Sequence, residues 1–130
     1  MATPGETFAV TENNFAETVK DGIVLLDFWA EWCGPCRAFG PIFEAAAKKH
    51  PDIKFGKIDT EDQQGLAAAF RIRSIPTLMI LRDNVLLAEQ HGLLPGSALE
   101  DLIEQVRNLD MDEIHAKIAA ESAESEAQSA

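Results

Sequence analysis

An α/β fold, with a mixed sheet between helices on both faces, is what this 130-residue sequence predicts, on three observations. Ile23-Val24-Leu25-Leu26-Asp27-Phe28-Trp29 is a nearly unbroken apolar run of strand length, the pattern of a central strand covered on both faces. Strand-like and helix-like segments alternate along most of the chain, which places crossover helices against a sheet. Strands over 77–81 and 85–90 flank Arg82-Asp83-Asn84, and Asp and Asn tolerate the positive φ of a hairpin turn, so antiparallel pairing is added.

Each element has its own signal. Residues 7–11 alternate enough for a short first strand. Asn14 with Glu17 has the form of a capping box ahead of Phe15 and Val19, and Asp21-Gly22 ends that short helix. After the central strand a helix is predicted to about His50, with Phe39, Phe43, Ala46 and Ala47 at helical spacing and Pro41 placed to kink it. Residues 53–58 read as a strand, and 62–70 as a helix with Leu66, Ala67 and Phe70 on one face. Ser97 with Glu100 is a second capping box, opening a helix over 98–108. The order is β-α-β-α-β-α-β-β-α, without an internal repeat.

Beyond Leu109 the character changes. Asp110 and Glu113 suit the start of a short helix bearing Met111, Ile114 and Ile118. Residues 119–130 are Ala, Glu, Ser and Gln only, a composition expected to be disordered or weakly helical. The division expected is a folded domain over 1–109 and an acidic Ala/Glu/Ser-rich extension over 110–130. The extension reads either as a partner-docking or solubilising segment or as a solvated terminus, the second being the simpler.

Composition excludes several function classes. The net charge of −11 opposes binding to a phosphate backbone, so no nucleic-acid partner is expected. Of that charge −5 belongs to the extension, where six carboxylates face Lys117 alone, and −6 to the first 109 residues. No apolar stretch approaches a membrane span, and residues 1–6 lack a basic region and an apolar signal core, so no membrane partner and a cytoplasmic location are expected. A zinc site needs about four ligands. Beyond the two cysteines only His50, His91 and His115 offer nitrogen, none at finger-like spacing, so no metal is expected.

Both cysteines lie in Trp32-Cys33-Gly34-Pro35-Cys36. A Cys-x-x-Cys pair can close into a disulfide across one turn and open again. Gly34 permits the tight backbone, and Pro35 suits the first turn of a helix. The pair follows the central strand and opens the next helix, where unpaired N–H groups and the macrodipole favour a thiolate. The chemistry indicated is dithiol–disulfide exchange.

The chain resembles the thioredoxin family in Asp27-Phe28-Trp29-Ala30-Glu31-Trp32-Cys33-Gly34-Pro35-Cys36, then Pro41, Lys57, Ile75-Pro76-Thr77 and Gly92, over roughly residues 6 to 108. The resemblance implies a thioredoxin fold: a mixed sheet of about five strands and about four helices in three layers. It implies reduction of varied protein disulfides by a monomer without a bound cofactor, and re-reduction by a thioredoxin reductase, a flavoprotein drawing on NADPH. Cys33 would be the nucleophile, with its sulfur exposed, and Cys36 the less accessible thiol that resolves the mixed disulfide.

Asp27 is costly within so apolar a strand unless it is neutral or solvated. The resemblance makes it the acceptor of the Cys36 proton, and the plainer reading is a carboxylate facing solvent at a strand end. Lys57 would tune Asp27, or be a surface lysine on an alternating strand. The Ile75–Pro76 bond would be cis and present the Ile75 backbone to an extended substrate; a trans Pro at a strand start is the alternative. Trp32, Gly34, Ile75 and Gly92 would form the apolar contact surface around Cys33, and Trp29 would pack inside. Ser74, Asn84 and His91 depart from the commonest family pattern. His91 either adds a pH-sensitive charge near the dithiol or faces solvent at a strand end. Two rival functions stay open: a thiol oxidant or isomerase, against which Gly-Pro between the cysteines argues, and a non-catalytic binding subunit, against which the cysteines and Asp27 argue.

Overall fold

The seven residues of β2 (Ile23–Trp29) run down the middle of a five-stranded sheet, as their two-faced apolarity requires. The computed structural model describes residues 3–129, and their side chains to residue 127. The sheet order is β1 (Thr7–Ala9), β3 (Lys54–Asp59), β2, β4 (Thr77–Arg82), β5 (Val85–His91). β1 and β2 pair with β3 in parallel, whereas β2–β4 and β4–β5 are antiparallel. The helices are α1 (Phe15–Val19), α2 (Gly34–Lys49), α3 (Gln64–Ala69), α4 (Gly96–Arg107) and α5 (Met111–Ser129).

Alternation along β2 splits the core in two. Leu25 points to one face with Phe39 and Phe43 of α2, Leu99 and Ile103 of α4, and Phe55, Leu78 and Ile80. Val24, Leu26 and Phe28 point to the other, with Val19, Leu66, Ile58 and Met79. These are the two interfaces of a three-layer sandwich. Gly56 lets β1 and β2 close on β3: a Cβ there would strike the Val10 side chain and lie 3.2 Å from Leu26 Cδ2. The hairpin is as expected, with Asp83 and Asn84 both at positive φ (51° and 67°).

Both capping boxes fail, Asn14 of the first and Glu100 of the second having other partners. Asn14 Oδ1 accepts from the Thr11 N–H (2.8 Å) and its Nδ2 donates to the Ala9 carbonyl (3.0 Å), so it secures the loop before α1. Pro95 with ψ 151° sets the entry to α4, which begins at Gly96, and Glu100 meets His50 Nε2 at 2.6 Å. α2 remains one element through Pro41. α5 is longer than the short helix expected, since Ala, Glu and Gln are strong helix formers. Within it only Met111 is buried, and residues 119–127 are all exposed. Among the described residues no helix is long and apolar enough to cross a membrane.

Candidate active site

The turn from β2 into α2 builds the dithiol. Ala30 is buried, and its carbonyl accepts from the Cys33 N–H at 3.2 Å. Cys33 is extended (φ −88°, ψ 113°) and caps α2, with Pro35 in the first turn. Its Sγ accepts from the Cys36 N–H at 3.2 Å, so a helix N–H that the helix itself leaves unpaired points at this sulfur. Cys33 and Cys36 are joined as a disulfide, Cα to Cα 5.2 Å. One expectation is corrected here: Cys33 is not the more exposed of the two, both being 5% accessible. The alignment of Cys33 with the helix end distinguishes them, not exposure.

A second loop meets the first. The Ile75–Pro76 peptide is cis, and the Ile75 carbonyl oxygen lies 3.7 Å from Cys33 Sγ. Thr77, fully buried, donates to the Ser74 carbonyl at 2.6 Å, and the Gly92 N–H donates to the Pro76 carbonyl at 2.8 Å. Gly92 has φ 88°, which its lack of Cβ allows. His91 pairs with Thr77 across β4–β5, its Nδ1 3.2 Å from Thr77 Oγ1 and its Nε2 3.5 Å from Glu89. Trp32 is 67% exposed and donates from Nε1 to Glu61 Oε1 at 2.6 Å. Exposed Gly34, Pro35, Gly92 and Leu93, with Ile75 half-buried, complete an apolar rim. Glu61 and Leu93 were not singled out from the sequence. The Trp32–Glu61 bond spans 29 residues, and no local pattern announces it.

Asp27 lies inside the protein, 1% exposed, and neither carboxylate oxygen has a hydrogen-bond partner. It shares the face of β2 that carries Leu25, toward α2. Burial pushes its pKa up to about 7, with the Lys57 ammonium pulling the other way. Lys57 is its cross-strand partner in the parallel β2–β3 pair and holds Nζ 4.9 Å from the centre of the half-buried Trp29 ring. A cleft of about 250 Å³ opens beside them, lined by Trp29, Cys36, Gly40, Pro41 and Lys57, with Glu31, Arg37 and Glu44 also at its walls. Among the described residues no three metal-ligating side chains gather.

The thioredoxin family model matches residues 6–105, the whole sheet, both loops and α4 apart from its last residues. The chain belongs to the thioredoxin family. A Streptomyces coelicolor protein named as a thioredoxin (thioredoxin 2) is 55% identical over 119 residues, 91% of this chain and 89% of that one. The Bacillus subtilis thioredoxin is 37% identical over 94 residues, 72% of this chain and 90% of its own length. Among solved structures, a mutant thioredoxin from Halobacterium salinarum superposes with a TM-score of 0.77 at 36% identity, covering 85% of this chain and 98% of its own. A thioredoxin f2 complexed with ferredoxin:thioredoxin reductase gives a TM-score of 0.75 at 34% identity, over 82% and 99%. The thioredoxin fold read from the sequence is therefore correct, and the activity is that of a dithiol oxidoreductase acting on protein disulfides through Cys33 and Cys36.

Proposed function

We propose that Cys33 attacks the substrate and Cys36 resolves it, with Asp27 as proton acceptor. The observation that carries this is the helix N–H aimed at Cys33 Sγ, which favours the thiolate at that sulfur. In the reduced protein the Cys33 thiolate attacks one sulfur of a substrate disulfide. A Cys33–substrate bond forms, and the other substrate sulfur leaves with the electron pair and takes up a proton. Cys36 then passes its proton to Asp27, attacks Cys33 Sγ and expels the second substrate thiolate. The protein ends as the Cys33–Cys36 disulfide, and two electrons have moved to the substrate. A carboxyl poised near neutrality suits that proton transfer.

Lys57 sets the charge beside Asp27. The substrate chain lies along the Ile75 carbonyl, between Trp32, Gly34, Pro35, Pro76 and Gly92; its apolar rim favours flexible, varied protein partners. Re-reduction by an NADPH-dependent flavoprotein reductase, action in the cytoplasm and a monomeric state complete the reading. Residues 110–130 are taken as an extension outside the redox domain.

Insulin reduction with NADPH and a thioredoxin reductase tests it. Wild type is expected to turn over, and Cys36→Ser to stop at a covalent Cys33–substrate adduct visible by mass spectrometry. A trapped adduct through Cys36 in Cys33→Ser, with none in Cys36→Ser, would reverse the roles. Because a similar thioredoxin f2 is complexed with a ferredoxin-linked reductase, that reductase is run in parallel. Turnover with it alone would reassign the electron donor.

A further inference from the structure

His91 ends β5, and its ring is met at both nitrogens. Nδ1 lies 3.2 Å from Thr77 Oγ1, and Nε2 lies 3.5 Å from Glu89 Oε2. The protonation of the ring follows from the donors its neighbours can offer. Thr77 has one hydroxyl proton, and the 2.6 Å contact with the Ser74 carbonyl uses it, since a carbonyl only accepts. Thr77 Oγ1 can then only accept from His91, so this contact needs a proton on Nδ1. The Glu89 carboxylate also only accepts, so the other contact needs a proton on Nε2. A neutral imidazole has a single N–H and turns a lone pair toward one of the two oxygens. The imidazolium donates to both.

We propose that His91 is a positioning residue for protein substrates: protonated, it clamps the end of β5 onto the Ser74–Thr77 loop, and on losing its proton it releases one side of that clamp. The inference rests on the reading above that a substrate chain lies along this loop. From His91 the hydrogen bonds run to Thr77 and on to Ser74, the residue before Ile75, whose carbonyl lies 3.7 Å from Cys33 Sγ. The neighbouring Gly92 N–H, donating to the Pro76 carbonyl at 2.8 Å, ties the same two segments together. A backbone fixed in advance costs less to order when a substrate binds, so the clamp favours association. Thr77 is buried, but the side chains of His91 and Glu89 are 56% and 41% exposed. The ring therefore exchanges protons with water, and solvent screens its pairing with Glu89, which makes the effect a graded one. The groups at the ring are Glu89 from its own strand and the Thr77 hydroxyl from β4; Arg73, exposed in the loop before β4, is the charged residue adjoining Ser74. Among the described residues no other carboxylate pairs with His91.

Stopped-flow reaction of the reduced protein with insulin, and with the small disulfide 5,5′-dithiobis(2-nitrobenzoate), tests this from about pH 5.5 to 8.5, the range in which histidine titrates. Both reactions need the Cys33 thiolate, so the ratio of their rate constants removes its ionisation, and only insulin is long enough to lie along the loop. In wild type the insulin-to-small-disulfide ratio is expected to fall about threefold as pH rises through that range. In His91→Val the ratio should stay level at the lower value, and in Glu89→Gln the fall should be smaller than in wild type. By NMR, the backbone amides of Ser74, Thr77 and Gly92 should shift together with the His91 ring in wild type and stop doing so in His91→Val. A level ratio in wild type, the same fall in His91→Val, or amides that ignore the His91 titration would each overturn the proposal. Wild type that reacts with the small disulfide but at no pH with insulin would sink the reductase reading itself, and this inference with it.

Discussion

Asp27 is where one residue's chemistry can be read as stability. Its carboxyl, ordinarily near 3.8, titrates at about 7 in the folded protein. Between those values the folded state holds a proton that the unfolded chain has lost, so stability falls as pH rises from about 4 to about 7 and is level above that. At about 1.4 kcal/mol per pH unit, Asp27→Asn should gain on the order of 4 kcal/mol at pH 8 and little at pH 4. Urea unfolding at the two pH values checks this. The same variant should resolve mixed disulfides more slowly, since the acceptor is gone. Glu61 poses a different question at this scale. Its carboxylate holds the Trp32 indole against the loop at 2.6 Å. Glu61→Ala is expected to weaken protein-substrate reduction several-fold through KM with kcat nearly kept, because the exposed ring then loses its fixed orientation. A fall in kcat alone would contradict that.

At the scale of elements, the strained positions are specific. Arg71 follows α3 with φ 53°, its N–H donating to the Ala68 carbonyl and that of Ile72 to the Ala67 carbonyl. This is the left-handed helix end that glycine prefers, so Arg71→Gly should stabilise by up to about 1 kcal/mol in chemical denaturation. Gly56→Ala has the opposite sign. Its Cβ would collide with Val10, and a loss of about 1–3 kcal/mol is expected. α2 shows why the two ends of an element are read differently. Its N-terminus carries the dithiol. Its C-terminus is tied down: His50 Nε2 meets Glu100 Oε1 at 2.6 Å, its Nδ1 meets Arg107 Nη2 at 2.9 Å, and Arg107 in turn donates to Asp52 at 2.7 and 3.0 Å. These bonds join α2 to α4 far along the helix from the cysteines, a mooring rather than a site.

For the whole molecule, the acidic helix meets the core at Met111, its buried first residue. The family match ends at residue 105, and side chains past 118 are exposed up to residue 127. Deletion from Ala119 should leave insulin turnover unchanged and unfolding free energy within about 0.5 kcal/mol. Loss of turnover would make the helix part of a docking surface.

The sequence alone determined the strand order along the chain, the central place of β2, the hairpin turn and the identity of the redox pair. These are local signals: apolar periodicity, turn residues and a five-residue motif. It failed at the caps, because Asn14 and Glu100 have partners that no spacing rule includes. The tertiary structure decided what surrounds the dithiol. It brought the Ile75 carbonyl, 42 residues away, to Cys33, set Lys57 beside Asp27 across two strands, and opened the cleft next to Cys36. It also made Asp27 a buried acid, since folding leaves that residue 1% exposed and takes its carboxyl out of water. A sequence names the groups that can react; distance and burial, which set how each reacts, exist only once the chain has closed on itself.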